Sequence, residues 1–208
     1  MTSLTTSGVM IEVTLVDSMG TDLSVVNAAR VSFKKKSQWG HHVPGQGIFG
    51  HVTLSYHIKA PIFVARQLVK HQTGLVWNEV SRRYVDDEPE FWDPESWRSR
   101  PVNSKQGSGD ETVVWLDRNE RVGSAMKKVY KESHRVYEKM IKANIAPEQA
   151  RMVLPQSTMT EWYWTGSLFA FARVCGLRCK GDTQEETRDV AWKIHDAARD
   201  KFPVSWEA

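Results

Sequence analysis

From His51 onward, Val52, Leu54, Tyr56 and Ile58 alternate with Thr53, Ser55, His57 and Lys59, the period-two pattern of a strand with one buried face. Upstream, residues 11 to 16 (IEVTLV) are short and β-branched, and Asp17, Ser18, Met19 and Gly20 follow with turn chemistry, so a strand and turn are expected there. Asp22 or Ser24 can cap a short helix through Val25, Val26, Ala28 and Ala29 that ends near Val31-Ser32-Phe33. Residues 34 to 50 carry three lysines, then Gly40, Pro44, Gly45, Gly47 and Gly50, with no period. That stretch reads as a ligand-facing or mobile loop.

Helical spacing dominates the rest. Pro61 suits a first helical turn, because its missing N–H would have no partner there, and Ile62, Ala65, Leu68 and Val69 continue the stripe. On that helix Gln67, Lys70 and His71, three and four positions apart, would share a polar side. Residues 86 to 123 are rich in Asp, Glu, Pro, Ser and Gly yet hold Phe91, Trp92, Trp97 and Trp115, the composition of a docked excursion rather than a free linker. From Ser124 the positions Met126, Val129, Tyr130, Val136, Tyr137, Met140 and Ile141 mark a long amphipathic helix ending near Asn144. Pro147 opens a short helix through Ala150 and Met152, ended before Pro155. Gly166 and Ser167 introduce a stripe of Leu168, Phe171, Ala172 and Cys175 that delivers Arg178 at its end. Thr183 to Glu186 has capping-box form ahead of Val190, Ala191, Ile194 and Ala198.

Composition narrows the class. At 208 residues one domain, 1–208, with a variable excursion at 86–123, is expected. Burying roughly 70% of the unfolded surface excludes global disorder. The net charge of +3 is too small for charge-driven nucleic-acid binding, and no nucleic-acid partner is expected. The two cysteines, Cys175 and Cys179, stand four apart on a helical stretch; they make no disulfide scaffold and fit a reducing cytoplasm. No apolar run approaches the roughly eighteen residues that span a membrane, and the start, MTSLTTSGVM, lacks a charged and apolar leader.

The densest polar block is Gln67-Leu-Val-Lys70-His71-Gln72, then Asn78-Glu79-Val-Ser81-Arg82-Arg83-Tyr84. Lysine and arginine complement phosphate, serine and glutamine donate hydrogen bonds, and glutamate with asparagine can read a base edge. A solvated charged face or an ion-pair network has the same composition. Arg151 in ARMVLP and Arg178 in GLR sit among apolar residues; each alone reads as a structural arginine needing a counter-charge, unless it meets the first block. Ser81 and Cys179 lack the setting of an activated nucleophile, and His41, His42 and His51 match no zinc pattern, so no metal is expected. Of nine tryptophans most belong to a core, with Trp77, beside the polar block, the best candidate for stacking on a base or a flavin.

Together these blocks resemble the flavin-dependent thymidylate synthases over most of the chain. Val13 to Phe33 looks like that family's amino-terminal unit, and His51 to Gln67, including YHIKAPIFVARQ, like its next strand and helix. The family's pattern is Arg-His-Arg, two residues, Ser, one residue, Asn, two residues, Ser, one residue, Arg-Tyr. Here Lys70-His71-Gln72 opens it, one extra residue precedes Asn78, and Ser81, Arg83 and Tyr84 close it. ARMVLP and GLR also fit, and Ser167 and Arg173 stand where the family commonly has asparagines near the flavin. The segment between Phe33 and His51 looks shorter than the family's, leaving His41 and His42 as candidates for its flavin-contacting histidine.

The resemblance implies an α+β fold, with an antiparallel-containing sheet and several long helices, neither Rossmann nor TIM barrel. It implies reductive methylation of dUMP to dTMP, methylenetetrahydrofolate giving the carbon, FAD carrying hydride and NADPH reducing the flavin, in a homotetramer whose sites combine neighbouring subunits. Arg178 would be the catalytic charge at the uracil. Gln67, Lys70, Glu79, Ser81, Arg82, Arg83, Arg151 and Arg178 would bind dUMP, and Lys70, His71, Gln72, Asn78, Glu79, Ser167 and Arg173 the FAD. The rival readings are a nucleotide- or RNA-binding module that has lost redox chemistry, and a structural protein of a nucleotide-metabolising assembly. Flavin content discriminates them.

Overall fold

The computed structural model describes residues 8–38, 46–84, 87–102 and 107–208. Four strands, β1 (Glu12–Met19), β2 (Thr53–Pro61), β3 (Leu75–Glu79) and β4 (Met159–Ser167), form one sheet in the order β1-β2-β4-β3, every neighbouring pair antiparallel. Among the described residues seven α-helices accompany it: α1 (Asp22–Arg30), α2 (Ile62–Leu68), α3 (Val122–Lys142), α4 (Pro147–Ala150), α5 (Leu168–Arg178), α6 (Glu185–Lys201) and α7 (Pro203–Trp206). The mixed helix and sheet class is the expected one.

The alternation in β2 does what its period demands: Leu54, Tyr56, Ile58 and Ala60 are all 0% exposed. Their cross-strand neighbours Trp162 and Trp164 join them, and Val64, Leu68, Leu168, Phe171, Val174, Val190 and Ile194 from α2, α5 and α6 complete the core. Tyr56 packs edge-on against Phe171 at 4.9 Å and donates its hydroxyl to the Ile194 carbonyl at 3.2 Å, which satisfies the one polar atom this ring brings into an apolar layer. Each aromatic so buried contributes about 2 kcal/mol or more through removal of its surface from water. On the other side of the sheet Thr14, His57, Tyr163 and Asn78 lie in one cross-strand row, and Tyr163 is 52% exposed among the described residues. At the outer strand β1 the register slips between Leu15 and Asp17, leaving Val16 as a bulge.

Several expectations are corrected. The helix after Pro61 is shorter than the stripe through Val69 implied. Pro61 is the last residue of β2 and caps α2, which stops at Leu68, so Lys70 and His71 lie beyond the helix and share no helical side with Gln67. The strand expected from His51 is displaced to Thr53–Pro61. Strands β3 and β4 were not anticipated. At α1 the cap is Thr21, in a reciprocal box with Ser24, while the Asp22 carboxylate accepts the Val204 and Ser205 N–H groups at the start of α7. The Thr183 to Glu186 capping box does not form. Gln184 is the N-cap of α6 without a side-chain bond, Thr183 donates to the Leu177 carbonyl at 3.2 Å, and Glu186 is drawn instead to Arg98.

The segment before α3 has no regular element among its described residues. It docks through an isolated bridge from Phe91 to Thr158 and is closed on itself by one from Arg98 to Thr112, and Phe91 stacks on Tyr130 of α3 at 5.1 Å. Among the described residues no helix is long and apolar enough to cross a membrane.

Gly166 lets β3 and β4 approach. A Cβ there would stand 2.5 Å from the Gly74 carbonyl oxygen and 2.5 Å from Leu75 Cδ2, and the first of these is backbone that cannot rotate away. Gly166→Ala is therefore expected to cost about 1–3 kcal/mol, read by chemical denaturation. Amide exchange should accelerate more in β3 than in β2; equal acceleration would place the strain elsewhere.

Candidate active site

Where β2 and β3 finish and β4 begins, a 380 Å³ cavity is lined by Lys59, Glu79, Arg82, Arg151, Thr160 and Glu161, among others. Glu79, the last residue of β3, accepts hydrogen bonds from Trp77 Nε1 at 3.2 Å and Thr160 Oγ1 at 2.8 Å. Its carboxylate is thus fixed at the cavity wall. Lys59 pairs with Glu90 at 2.6 Å, and that hydrogen bond holds its ammonium above the ordinary lysine pKa. Arg82 is bound to Asp87, donating to its carbonyl at 3.0 Å and pairing with its carboxylate at 3.4 Å. Arg151 is different: exposed at the start of a 3-10 turn after α4, it donates Nε to the Glu148 carbonyl at 3.2 Å and makes no ion pair with a described residue.

Ser81 to Tyr84 form a turn beyond β3. Arg83 donates Nε to Ser81 Oγ at 3.0 Å and lies 5.0 Å from the Tyr84 ring centroid. It is exposed and does not line the cavity.

A second cluster forms around the end of α5. Arg178, the last residue of that helix, donates Nε to His71 Nε2 at 2.9 Å, across 107 positions of sequence. Burial, then Arg178 and Arg173, push the His71 pKa below its ordinary value. Lys70, Gln72 and Arg173 are exposed, and Arg173 lies 5.9 Å from the Phe169 ring centroid. Ser167 caps α5, accepting from the Ala170 N–H at 3.2 Å. Asn78 is exposed and lies opposite Tyr163 in their cross-strand row.

Two sequence expectations change. Gln67 is half-buried and its carbonyl oxygen accepts from the Thr187 hydroxyl of α6, so it faces a helix contact more than a free polar side. Trp77, the candidate for stacking on a ligand, stacks instead on Trp162 at 4.4 Å and meets Trp164 edge-on at 5.5 Å. His41 and His42 fall outside the described residues. Among the described residues no three His, Cys, Asp or Glu side chains gather into a metal site. Within one chain Glu79, Arg82 and Arg151 meet at the cavity and His71 meets Arg178, while Arg178 does not line the cavity. Lys59, Thr160 and Glu161 escaped the sequence reading. Their signal was present in the cross-strand order of β2 and β4, where Lys59 faces Glu161.

Beside this four-stranded antiparallel sheet stand arginines that make no ion pair with a described residue, groups able to receive an anion. The family described as thymidylate synthase complementing protein matches residues 14–204, and the chain belongs to it. A flavin-dependent thymidylate synthase of Thermus thermophilus is 34% identical over 210 residues, covering 94% of this chain and 74% of the relative. That of Thermosipho africanus is 33% identical over 211 residues, covering 93% and 88%. In three dimensions the chain is similar to the UMP/dUMP methylase PolB of Streptomyces cacaoi, crystallised with 5-Br UMP, at a TM-score of 0.78 and 27% identity, covering 95% of this chain and 92% of that one.

Proposed function

We propose that the chain is a flavin-dependent thymidylate synthase, converting dUMP to dTMP in the cytoplasm with methylenetetrahydrofolate as carbon donor and NADPH as reductant. The observation that carries this reading is the family match over residues 14–204 with relatives named flavin-dependent thymidylate synthase, and the state of three arginines placed by the resemblance agrees with it. Arg83, Arg151 and Arg178 make no ion pair with any described residue, whereas Arg82 is taken up by Asp87 and Arg98 by Glu185 and Glu186. Guanidinium groups left without carboxylates, in a member of this family, are available to a nucleotide.

The donor set fits a flavin dinucleotide. Lys70 and Arg173 are exposed cations suited to a pyrophosphate, and Gln72 and Asn78 are exposed amides suited to a ring edge. When bound, FAD supplies the hydride. The chain's own task is then to make C5 of uracil nucleophilic, which needs positive charge beside the ring oxygens and N3 as negative charge builds there. Arg178 has that role. Arg83 and Arg151 clamp the nucleotide, Ser81 and the Gln67 amide nitrogen donate to its phosphate or sugar, and Lys70, His71, Gln72 and Glu79 lie between nucleotide and flavin. No protein nucleophile is required; orientation and aimed charge do the work.

We also propose a homotetramer in which neighbouring copies complete each site, as the resemblance implies; Arg178 lying off the cavity that Arg151 lines agrees with a shared site. The loss-of-redox alternative has no support from the relatives, which are named as flavin-dependent synthases.

The deciding experiment uses purified protein: a flavin spectrum bleached by NADPH, and tritium released from C5-labelled dUMP when methylenetetrahydrofolate is present. Colourless protein that fails to bind added FAD overturns the reading. A substitution separates positioning from covalent chemistry. Ser81→Ala is expected to weaken dUMP binding by about 1 kcal/mol, the net worth of one hydrogen bond, while product still forms. Abolished product with unchanged dUMP binding would assign Ser81 a nucleophilic role.

A further inference from the structure

We propose that His71 is a positioning residue for Arg178: its neutral imidazole, protonated on Nδ1, accepts the guanidinium Nε–H and fixes the direction in which the charge points. The turnover consequences rest on the function proposed above; the contact itself does not.

The donor and acceptor roles follow from elementary chemistry. A guanidinium is donor-only and does not lose its proton in a protein, so the 2.9 Å contact from Arg178 Nε to His71 Nε2 requires a lone pair on Nε2. Only the tautomer with hydrogen on Nδ1 offers it. His71 is itself held from the backbone, its N–H donating to the Leu68 carbonyl at 2.9 Å at the end of α2. A turn hydrogen-bonded to the end of α2 thereby presents the acceptor, and α5 presents the donor.

Arg178 has reason to need this. An arginine side chain carries about 2 kcal/mol of rotamer entropy, and at the last residue of a helix nothing on its own element confines it. Tying down Nε confines the chain near its end and leaves both terminal nitrogens for a ligand. No carboxylate is paired with Arg178 among the described residues, so the orientation comes without neutralising the charge, which an acidic partner would do.

The electrostatic surroundings keep His71 in the required state. The charged groups acting on it are Arg178 and Arg173, both cations of α5, and together with burial they push its pKa down. Protonation would remove the acceptor and set a further cation against Arg178. The sign is therefore fixed: the contact is intact above the depressed pKa of His71 and is lost as pH falls through it, leaving it whole at neutral pH.

Two measurements test the proposal on the intact protein. With ¹⁵N-labelled imidazoles, the His71 resonance, assigned by its disappearance in His71→Gln, should show protonated Nδ1 and unprotonated Nε2 at neutral pH. Its titration midpoint should lie below the ordinary value of about 6.5, and Arg178→Gln should raise it. A protonated Nε2, or a midpoint that Arg178→Gln does not move, overturns the proposal whether or not the protein is a thymidylate synthase. In the turnover arm, His71→Leu should lower kcat by about 10- to 100-fold, the range a misplaced reacting group produces, with flavin content and the KM for dUMP changing by a smaller factor than kcat. His71→Gln, whose amide oxygen can accept the same N–H but cannot titrate, should recover most of kcat and flatten the acid limb of the pH profile. Flavin loss in His71→Leu parallel to the loss of turnover, or no recovery in His71→Gln, would make His71 a cofactor or folding residue instead. Wild-type protein without turnover would sink the functional reading while the resonance measurement still decides the contact.

Discussion

Arg178→Ala is expected to lower kcat for dTMP formation by about 10²–10³-fold, the cost of deleting one aimed donor from a site where charge develops, with flavin occupancy retained. The reason lies in where the side chain begins. Arg178 closes α5, a helix whose Leu168, Phe171 and Val174 are all within 1% of full burial, so truncating a half-buried residue at its end leaves the packing intact. What disappears is a cation that no described carboxylate compensates. Single-turnover measurements with saturating dUMP separate this from weakened substrate binding: the chemical step should slow while the dUMP Kd moves by less than the rate. Arg178→Lys should recover only part of the loss, because an ammonium lacks the planar pair of donors. Turnover that survives Arg178→Ala undiminished removes the residue from the chemistry.

Arg98→Ala is expected to destabilise the fold by about 3 kcal/mol, the lower part of the range for breaking a buried ion pair by removing one partner. Arg98 joins three groups: Glu186 in a hydrogen-bonded ion pair, Glu185 at 3.1 Å and Ser108 at 2.8 Å. The Glu186 side chain is only 7% exposed. Without the guanidinium its carboxylate remains inside with no counter-charge. The same change frees the segment before α3 from the first turn of α6, so limited proteolysis should cut between 87 and 121 sooner than elsewhere. Glu185→Ala is the control, since its side chain is 53% exposed and an exposed pair is worth about 1 kcal/mol or less. Equal losses in the two variants would show that burial of Glu186 is not what makes the contact matter.

The elements legible in the sequence were those whose burial is one-sided. β2 alternates cleanly, and α3 keeps Tyr130 and Tyr137 on its buried stripe, so period alone found them. β4 was hidden because Tyr163, between the buried Trp162 and Trp164, is aromatic too and erases the contrast that period two depends on. β3, five residues long, offers too few positions for any period. The end of α2 was overrun because Val69 continues an apolar stripe that the backbone leaves at Leu68, and this misplaced Lys70 and His71. The candidate residues themselves were legible through the family resemblance. Their grouping was not: the Arg178–His71 contact spans 107 positions, and nothing local announces that Arg82 is held by Asp87 while Arg151 stays unpaired.

The slipped register at Val16 shapes what the outer strand of the sheet offers to another strand. Outward from β1 an incoming strand would find Glu12 to Leu15 in step, then an interruption, then Asp17 to Met19, so no run exceeds four residues. A bulge of this kind turns backbone donors and acceptors out of line and blunts an open margin. Lateral growth of the sheet across that border is thereby discouraged.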